Sequence, residues 1–105
     1  MRRWHITGVA KRDIADIRCF TVEQWGRQKA EEYLSTLYAK IQLVADKPAI
    51  GIDRSKNLNL GVEIRSVVHV SHVIYYVVSK TGISVVGVLH QSMVLKTHLL
   101  PRLKG

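Results

Sequence analysis

The run "HVIYYVVSKTGISVVGVLH", residues 72–90, decides the fold of this chain. Its first part, "HVIYYVV", is rich in β-branched and aromatic residues, which is typical of a buried strand. The "SKTG" that follows predicts a hairpin turn in which Gly82 supplies a positive φ. The last part, "ISVVGVLH", predicts a second strand that ends at His90. Gly87 has no side chain, so we expect a neighbouring segment to approach the strand closely there.

A third strand is predicted just upstream, in "GVEIRSVV" at residues 61–68. Its residues alternate between two faces, with Val62, Ile64 and Ser66 on one face and Glu63, Arg65 and Val67 on the other. Glu63 and Arg65 therefore share a face two residues apart, and we expect them to form an ion pair.

Two helices are predicted before these strands. Thr7 is a suitable N-cap for the first helix, which Gly26 ends. The spacing predicts that the first helix turns Ala10, Ile14, Ile17 and either Phe20 or Thr21 inward, followed by Trp25. The second helix is indicated by apolar residues at three- and four-residue spacing. These residues are Ala30, Tyr33, Leu34, Leu37, Ile41, Val44 and Ala45.

With "RWHIT" as a first strand, the predicted order is β-α-α-β-β-β in a single domain, residues 1–105. Because the two helices are separated only by Gly26, we expect a helical hairpin. The fold class is then α+β, with the hairpin packed on one face of a small antiparallel sheet.

The charge balance favours an anionic partner. Sixteen Lys and Arg residues against eight acidic residues give a net charge of +8 over 105 residues,. No carboxylate side chain follows Glu63, which excludes a paired-carboxylate or carboxylate-metal site in the last forty-odd residues. His90 and His98 lie eight residues apart with no third ligand near, so we expect no metal site.

The sequence shows no signal peptide and no membrane-spanning segment, and we therefore expect a cytoplasmic protein. The N-terminal "MRRWHITG" has no apolar segment after its arginines, which argues against a signal peptide,. The longest apolar run, "VVHVSHVIYYVV", is too short to cross a bilayer, so we expect no membrane partner. The single cysteine, Cys19, cannot form an internal disulfide. We expect it to be a small buried residue of the first helix.

Five segments in chain order resemble the ParE branch of the ParE/RelE toxin superfamily. The segment "EQWGRQKAEEYLSTL" (23–37) is similar to the family's helical hairpin, and "ADKPAIG" (45–51) is similar to the segment leaving it. The strands "GVEIRSV" (61–67) and "SHVIYYVV" (71–78) resemble the arginine-bearing strand and its partner. The segment "VGVLHQSM" (86–93), with the later "HL", resembles the closing strand and tail.

The chain departs from the family pattern at four positions. Val70 stands where family members usually carry Gly, in the turn before Ser71. Gly87 and Ser92 stand where Arg is common, and Val94 where Asp is frequent.

The resemblance implies the toxin of a type II toxin–antitoxin pair, which inhibits DNA gyrase and is neutralised by a cognate antitoxin in a hetero-oligomer. It implies no cofactor and no small-molecule substrate. The expected contacts with the target are Arg65, His90, Lys96, Arg102 and Lys104. The expected contacts with the antitoxin are Trp25 and Tyr76.

Two alternatives remain open. RelE-type members of the superfamily cleave messenger RNA on the ribosome, and Arg54, Arg65 and His90 are the residues that would hold phosphate and transfer a proton. A basic domain of this size is also compatible with a nucleic-acid-binding module. For His90 itself we expect a hydrogen bond that anchors the start of the tail, the chain from Ser92 onward. We expect His69 and His72 to lie beside a polar turn.

Overall fold

The computed structural model describes residues 3–55, 62–93 and 102–103. The elements follow the order β1 (Arg3–Ile6), α1 (Gly8–Trp25), α2 (Arg27–Asp46), a 3₁₀ turn (Pro48–Ile50), β2 (Ile52–Asp53), β3 (Ile64–His69), β4 (His72–Val78) and β5 (Gly82–His90). The predicted α+β order is confirmed, and the two-residue β2 is an addition to it. The strand order across the sheet is β1-β5-β4-β3-β2.

The sheet is mixed, whereas the sequence predicts a small antiparallel sheet. Strands β2 to β5 are antiparallel to their neighbours, but β1 runs parallel to β5, from Arg3 opposite Gly82 to Ile6 opposite Val85. Gly82 does not have the predicted positive φ. A Cβ atom at Gly82 would instead collide with the carbonyl oxygen of Arg3. This glycine is therefore needed for the close approach of β1.

The helical hairpin forms where the sequence predicts it. The side chain of Thr7 accepts a hydrogen bond from the backbone N–H of Ala10, which caps α1,. Gly26, with a φ of 92°, reverses the chain between the helices,. Both helices cover one face of the sheet, and all seven predicted core residues of α2 are buried or half-buried.

Two apolar clusters occupy the two faces of the sheet. The helix-side core contains Ile6, Ala10, Ile14, Ile17, Leu37, Ile41, Val44, Ala45, Ile74, Tyr76, Ile83, Val85 and Val88. The far-side cluster contains Ile64, Tyr75, Val86 and Leu89, with Val73, Val77 and Leu103 packed against it. Strand β5 contributes to both, as expected of a central strand with few polar residues.

A β-bulge in β5 changes which face its last residues occupy. Tyr75 lies opposite Gly87 and Tyr76 lies opposite Val85, so Val86 has no partner of its own on β4,. As a result Val85 and Val88, three residues apart, both lie in the helix-side core. The same shift places His90 on the helix side, opposite His72.

Candidate functional site

An open groove lies where the helical hairpin meets the β3–β4 turn. Its volume is about 460 Å³. The end of α1, the first turns of α2 and the turn after β3 supply the lining, which consists of Phe20, Thr21, Trp25, Lys29, Glu32, Tyr33, Thr36, Val70, Ser71 and His72. Gly26 positions the groove, because the sharp reversal at this residue leaves the end of α1 beside the start of α2.

Three large apolar side chains of the groove are exposed to solvent. Trp25 and Val70 are each 72% exposed, and Phe20 is 63% exposed. Phe20 and Trp25 therefore do not point into the core, and the inward position predicted for Trp25 is wrong. Thr21, the alternative to Phe20, is half-buried with its hydroxyl donating to the carbonyl oxygen of Ile17. Grouped exposed aromatic residues of this kind are typical of a surface that binds a partner.

The floor of the groove is a hydrogen-bonded set of polar side chains. The hydroxyl of Tyr33 lies 2.6 Å from Nδ1 of His72 and donates to the carbonyl oxygen of His69 at 3.3 Å. Nε2 of His69 lies 3.0 Å from the hydroxyl of Thr36. His69 and His72 flank the turn as predicted, but they pack on α2, so turn polarity alone does not account for them.

Burial keeps this floor neutral. It lowers the pKa of His69 below its ordinary value, and the positive charge of Lys40 lowers it further. Burial also lowers the pKa of His72, with smaller contributions from His90 and His69. The pKa of the Tyr33 hydroxyl is raised by burial. All three groups are therefore uncharged at neutral pH, which suits a surface that loses its water when a partner binds.

His90 lies next to this floor and is exposed. Its ring meets the ring of His72 edge-on, with 5.6 Å between the ring centroids. Its Nδ1 accepts a hydrogen bond from the backbone N–H of Ser92 at 3.2 Å and lies 2.8 Å from the Ser92 hydroxyl. The predicted hydrogen bond is present, and its partner is the chain two residues further on.

Arg65 lies far from His90, and its side chain is only 21% exposed. The predicted ion pair is present, with Nε of Arg65 donating to Oε2 of Glu63 at 2.7 Å. Nη1 of Arg65 donates to the carbonyl oxygen of Gly51, also at 2.7 Å. This guanidinium group therefore holds the chain that leaves the 3₁₀ turn, in addition to any contact with a target.

The burial predicted for two residues is wrong: Tyr76 was expected at the surface and Cys19 in the core. Tyr76 is completely buried, and its hydroxyl donates to the carbonyl oxygen of Pro48 and accepts from the N–H of Gly51. The ring thus offers no surface to an antitoxin, because it faces the helix-side core. Cys19, predicted to be buried, is exposed.

Arg65 and His90 are not brought together as a ribonuclease pair. Arg65 lies opposite Tyr76, whereas His90 lies opposite His72, four residues further along β4. At about 3.3 Å per residue the two positions are roughly 13 Å apart along the strand direction alone. Arg54, the third residue of that hypothesis, donates from its Nε to the Ser66 hydroxyl on the other face. One phosphodiester cannot contact all three side chains in this arrangement.

Of the three cations of the tail that are predicted to contact the target, only Arg102 lies within the described residues. Arg102 forms a bidentate ion pair with Asp13: Nη1 donates to Oδ2 at 2.7 Å and Nη2 donates to Oδ1 at 3.1 Å. It is therefore already engaged within the chain. Lys96 and Lys104 lie outside the described residues.

The described part of the chain contains neither a cluster of metal-ligating side chains nor a membrane-spanning helix. Within residues 3–55, 62–93 and 102–103, His, Cys, Asp and Glu side chains form no group of three suited to a metal ion. The helices in these ranges are too short or too polar to span a membrane.

Several residues of the groove carry no local signal of a binding site in the sequence. Spacing places Phe20 and Tyr33 on helix faces, and Val70 stands out only as a departure from the family pattern. Tyr33 was correctly placed on the inner face of α2, but its hydroxyl partner lies 39 residues away. Trp25, expected to contact the antitoxin, and the pair of histidines flanking a short turn are the sequence features that lie at this place.

Comparisons with known proteins agree on one family. The family model for the ParE toxin of type II toxin–antitoxin systems (parDE) matches residues 5–95. Toxin ParE1 of Caulobacter vibrioides is 33% identical over 99 residues, which are 94% of this chain and 99% of that protein.

One solved structure has the same fold. It is described as the chromosomal ParDE TA system from P. aeruginosa, and it superposes with a TM-score of 0.71. The match covers 86% of this chain and 96% of that chain at 15% sequence identity. At this identity the likeness concerns the fold alone.

Proposed function

Because the chain belongs to the ParE toxin family of type II toxin–antitoxin systems, we propose that it inhibits DNA gyrase and that a cognate antitoxin neutralises it. The observation that carries the second half of this proposal is the groove, with three large exposed apolar side chains on a chain of net charge +8. The protein acts in the cytoplasm, as a binding partner of its target and without a cofactor.

The antitoxin is proposed to bind in the groove through an acidic segment that folds on binding. A disordered segment that becomes ordered on a partner supplies apolar side chains for a groove and charges for its rim. Trp25 is the expected anchor, since exposed tryptophans at the centre of an interface contribute most to affinity. The resulting complex is a toxin–antitoxin hetero-oligomer.

A paired substitution tests the location of the antitoxin site. Trp25→Ala should weaken the affinity for the cognate antitoxin by about 30-fold or more, as expected for a hot-spot residue. Ile52→Ala is the matched control, because Ile52 is 60% exposed but does not line the groove. Equal affinities of the two variants, measured by calorimetry, would place the antitoxin elsewhere.

The gyrase contact is proposed to involve the basic tail and the strand end beside it. Lys96, Lys104 and His90 are the expected contacts, with Arg65 contributing from the other end of the sheet. Arg102 is proposed to support gyrase binding indirectly, because Asp13 already binds its guanidinium group. A positive surface of this kind accelerates encounter with an acidic or nucleic-acid-bound target.

Two assays separate the proposed target from the ribonuclease alternative. Purified chain is added to a gyrase supercoiling reaction and, separately, to a translating extract with a reporter messenger RNA. We expect inhibition of supercoiling and an intact message. Cleavage of the message with normal supercoiling would overturn the proposal.

His90→Gln refines that test. Gln keeps a side-chain donor and acceptor, so the variant should retain most of the supercoiling inhibition if His90 acts through hydrogen bonds. A general acid could not be replaced in this way, and RNA cleavage would then fall by about 100-fold or more.

A further inference from the structure

The outer edge of β5 is only partly covered by a neighbouring strand. Strand β1 pairs with β5 from Gly82 to Val85 and then ends, and the N–H of Thr7 bonds to the carbonyl oxygen of Val85. Beyond that point the bulge leaves backbone groups of Val86 and Val88 pointing away from β4. Buried backbone groups of this kind need other partners.

Asp13 on α1 and Arg102 near the C-terminus provide these partners. Oδ2 of Asp13 accepts a hydrogen bond from the backbone N–H of Val88 at 3.0 Å. The same oxygen accepts from Nη1 of Arg102 at 2.7 Å, while Oδ1 accepts from Nη2 at 3.1 Å. Nη1 of Arg102 also donates to the carbonyl oxygen of Val86 at 3.4 Å. One carboxylate thus joins α1, the bulge and the C-terminal segment.

This arrangement differs from the other ion pairs of the described residues. The side chains of Asp13 and Arg102 are only 13% and 21% exposed, against 45% and 57% for Arg18 and Glu31. In the Arg65–Glu63 pair the arginine is equally buried, but the carboxylate is 47% exposed. A bidentate, partly buried ion pair that also forms hydrogen bonds to the backbone is stronger than an exposed ion pair. The next residue, Leu103, packs on the far-side cluster. Residues 102 and 103 therefore hold β5 at its edge and on its far face.

We propose that Asp13 is a positioning residue for the toxin's C-terminal segment, residues 94–105. Its carboxylate holds Arg102 at the bulge and thereby keeps Arg102 and Leu103 against β5. Arg102 then supports target binding through Asp13, and the other cations of the segment, Lys96 and Lys104, make the contact. The part of this inference that concerns inhibition rests on the proposed gyrase function.

The test uses two single variants and their combination in the full chain. Asp13→Asn keeps an oxygen that can accept from the N–H of Val88 but removes the charge that binds Arg102. Arg102→Gln removes the guanidinium group and leaves Asp13 on Val88. Glu31→Gln, which breaks the exposed pair with Arg18, is the matched control.

Hydrogen exchange of the peptide that covers residues 94–105 is the first readout, and it does not depend on the target. Both single variants should exchange at least about 10-fold faster at Leu103, since a charge-assisted bidentate pair is lost in each. The control should exchange like the wild type. Unchanged exchange in Asp13→Asn would overturn the positioning role, whatever the target of the toxin is.

Supercoiling inhibition is the second readout, and it separates positioning from direct contact. If Arg102 acts through Asp13, each single variant should lose about 10-fold in inhibition and the double variant should lose no more, because both changes remove one interaction. Loss in Arg102→Gln with full inhibition in Asp13→Asn would instead make Arg102 a direct target contact. Losses that add in the double variant would equally overturn the proposal.

Discussion

Val70 occupies a backbone conformation that β-branched residues rarely adopt. Its φ is 55°, in the left-handed region, and its side chain is 72% exposed at the rim of the groove. Crowding between the branched side chain and its own backbone costs free energy in this region, whereas Gly avoids it. The turn between β3 and β4 is therefore strained at Val70, although the side chain of this residue is exposed and contributes little to the core.

Val70→Gly should therefore stabilise the toxin. We expect a gain of about 1 kcal/mol, which corresponds to a rise in Tm of about 4–8 °C for a domain of this size. Val68→Gly is the control, because Val68 is also exposed but lies within β3, where Gly weakens the strand,. A lower Tm for Val70→Gly, measured by calorimetry beside the control, would contradict the strain argument.

Stability should fall in mild acid because of His69 and His72. Burial lowers the pKa of both below the ordinary 6.5, so the unfolded chain binds more protons than the folded one between the two values,. The free energy of unfolding is then highest above pH 6.5 and decreases as the pH falls through 6.5 toward the lowered values. Below them this contribution stays constant.

Urea unfolding between pH 8 and pH 5 measures this dependence. The profile of His72→Gln should be flatter than that of the wild type, because one of the two linked groups no longer titrates. His5→Gln serves as the control, since His5 is exposed on β1. Parallel profiles for wild type and His72→Gln would show that His72 does not contribute.

At the scale of single elements, α2 depends on its apolar face. Leu37 lies at the centre of this face and has no exposed surface. Leu37→Ala should lower the free energy of unfolding by about 2–5 kcal/mol, through lost burial and the cavity that remains. Leu43→Ala on the same helix should change it by no more than about 0.5 kcal/mol, because Leu43 is 43% exposed,. Similar losses for the two variants would contradict this assignment of faces.

The attachment of β1 depends on Gly82. Gly82→Ala should destabilise the protein by about 1–3 kcal/mol, since a Cβ atom there meets the backbone of Arg3, which cannot move without separating the strands,. Gly8→Ala is the matched control, because no atom lies within 4 Å of the added Cβ. Thermal unfolding of both variants tests this, and a Gly82→Ala protein as stable as Gly8→Ala would show that β1 tolerates displacement.

At the scale of the whole molecule, charge and apolar surface should control different rates. The net charge of +8 should accelerate encounter with an acidic antitoxin, and salt should screen it,. Raising the salt from 0.05 to 0.5 M should slow association by about 10-fold or more while changing dissociation little. Trp25→Ala should do the reverse, because it alters contacts made after encounter. Stopped-flow kinetics measure both rates, and an unchanged dissociation rate for Trp25→Ala would place the antitoxin outside the groove.

Elements whose residues interact locally were predictable from the sequence alone. The cap at Thr7, the reversal at Gly26 and the buried face of α2 follow from backbone hydrogen bonding and the helical period, which involve residues only a few positions apart. The ion pair between Glu63 and Arg65 follows from strand alternation in the same way. These features need no knowledge of the rest of the chain.

Only the tertiary structure decided which distant residues meet. The bulge at Val86 reverses the alternation of β5, which places His90 against His72, whose ring in turn meets Tyr33. Asp13 and Arg102, 89 residues apart, meet because β1 ends early and leaves backbone groups that need partners. The parallel pairing of β1 depends on the same kind of long-range packing. A local pattern reports the period of a segment, but a register shift or an edge contact depends on the neighbour that supplies the missing hydrogen bonds.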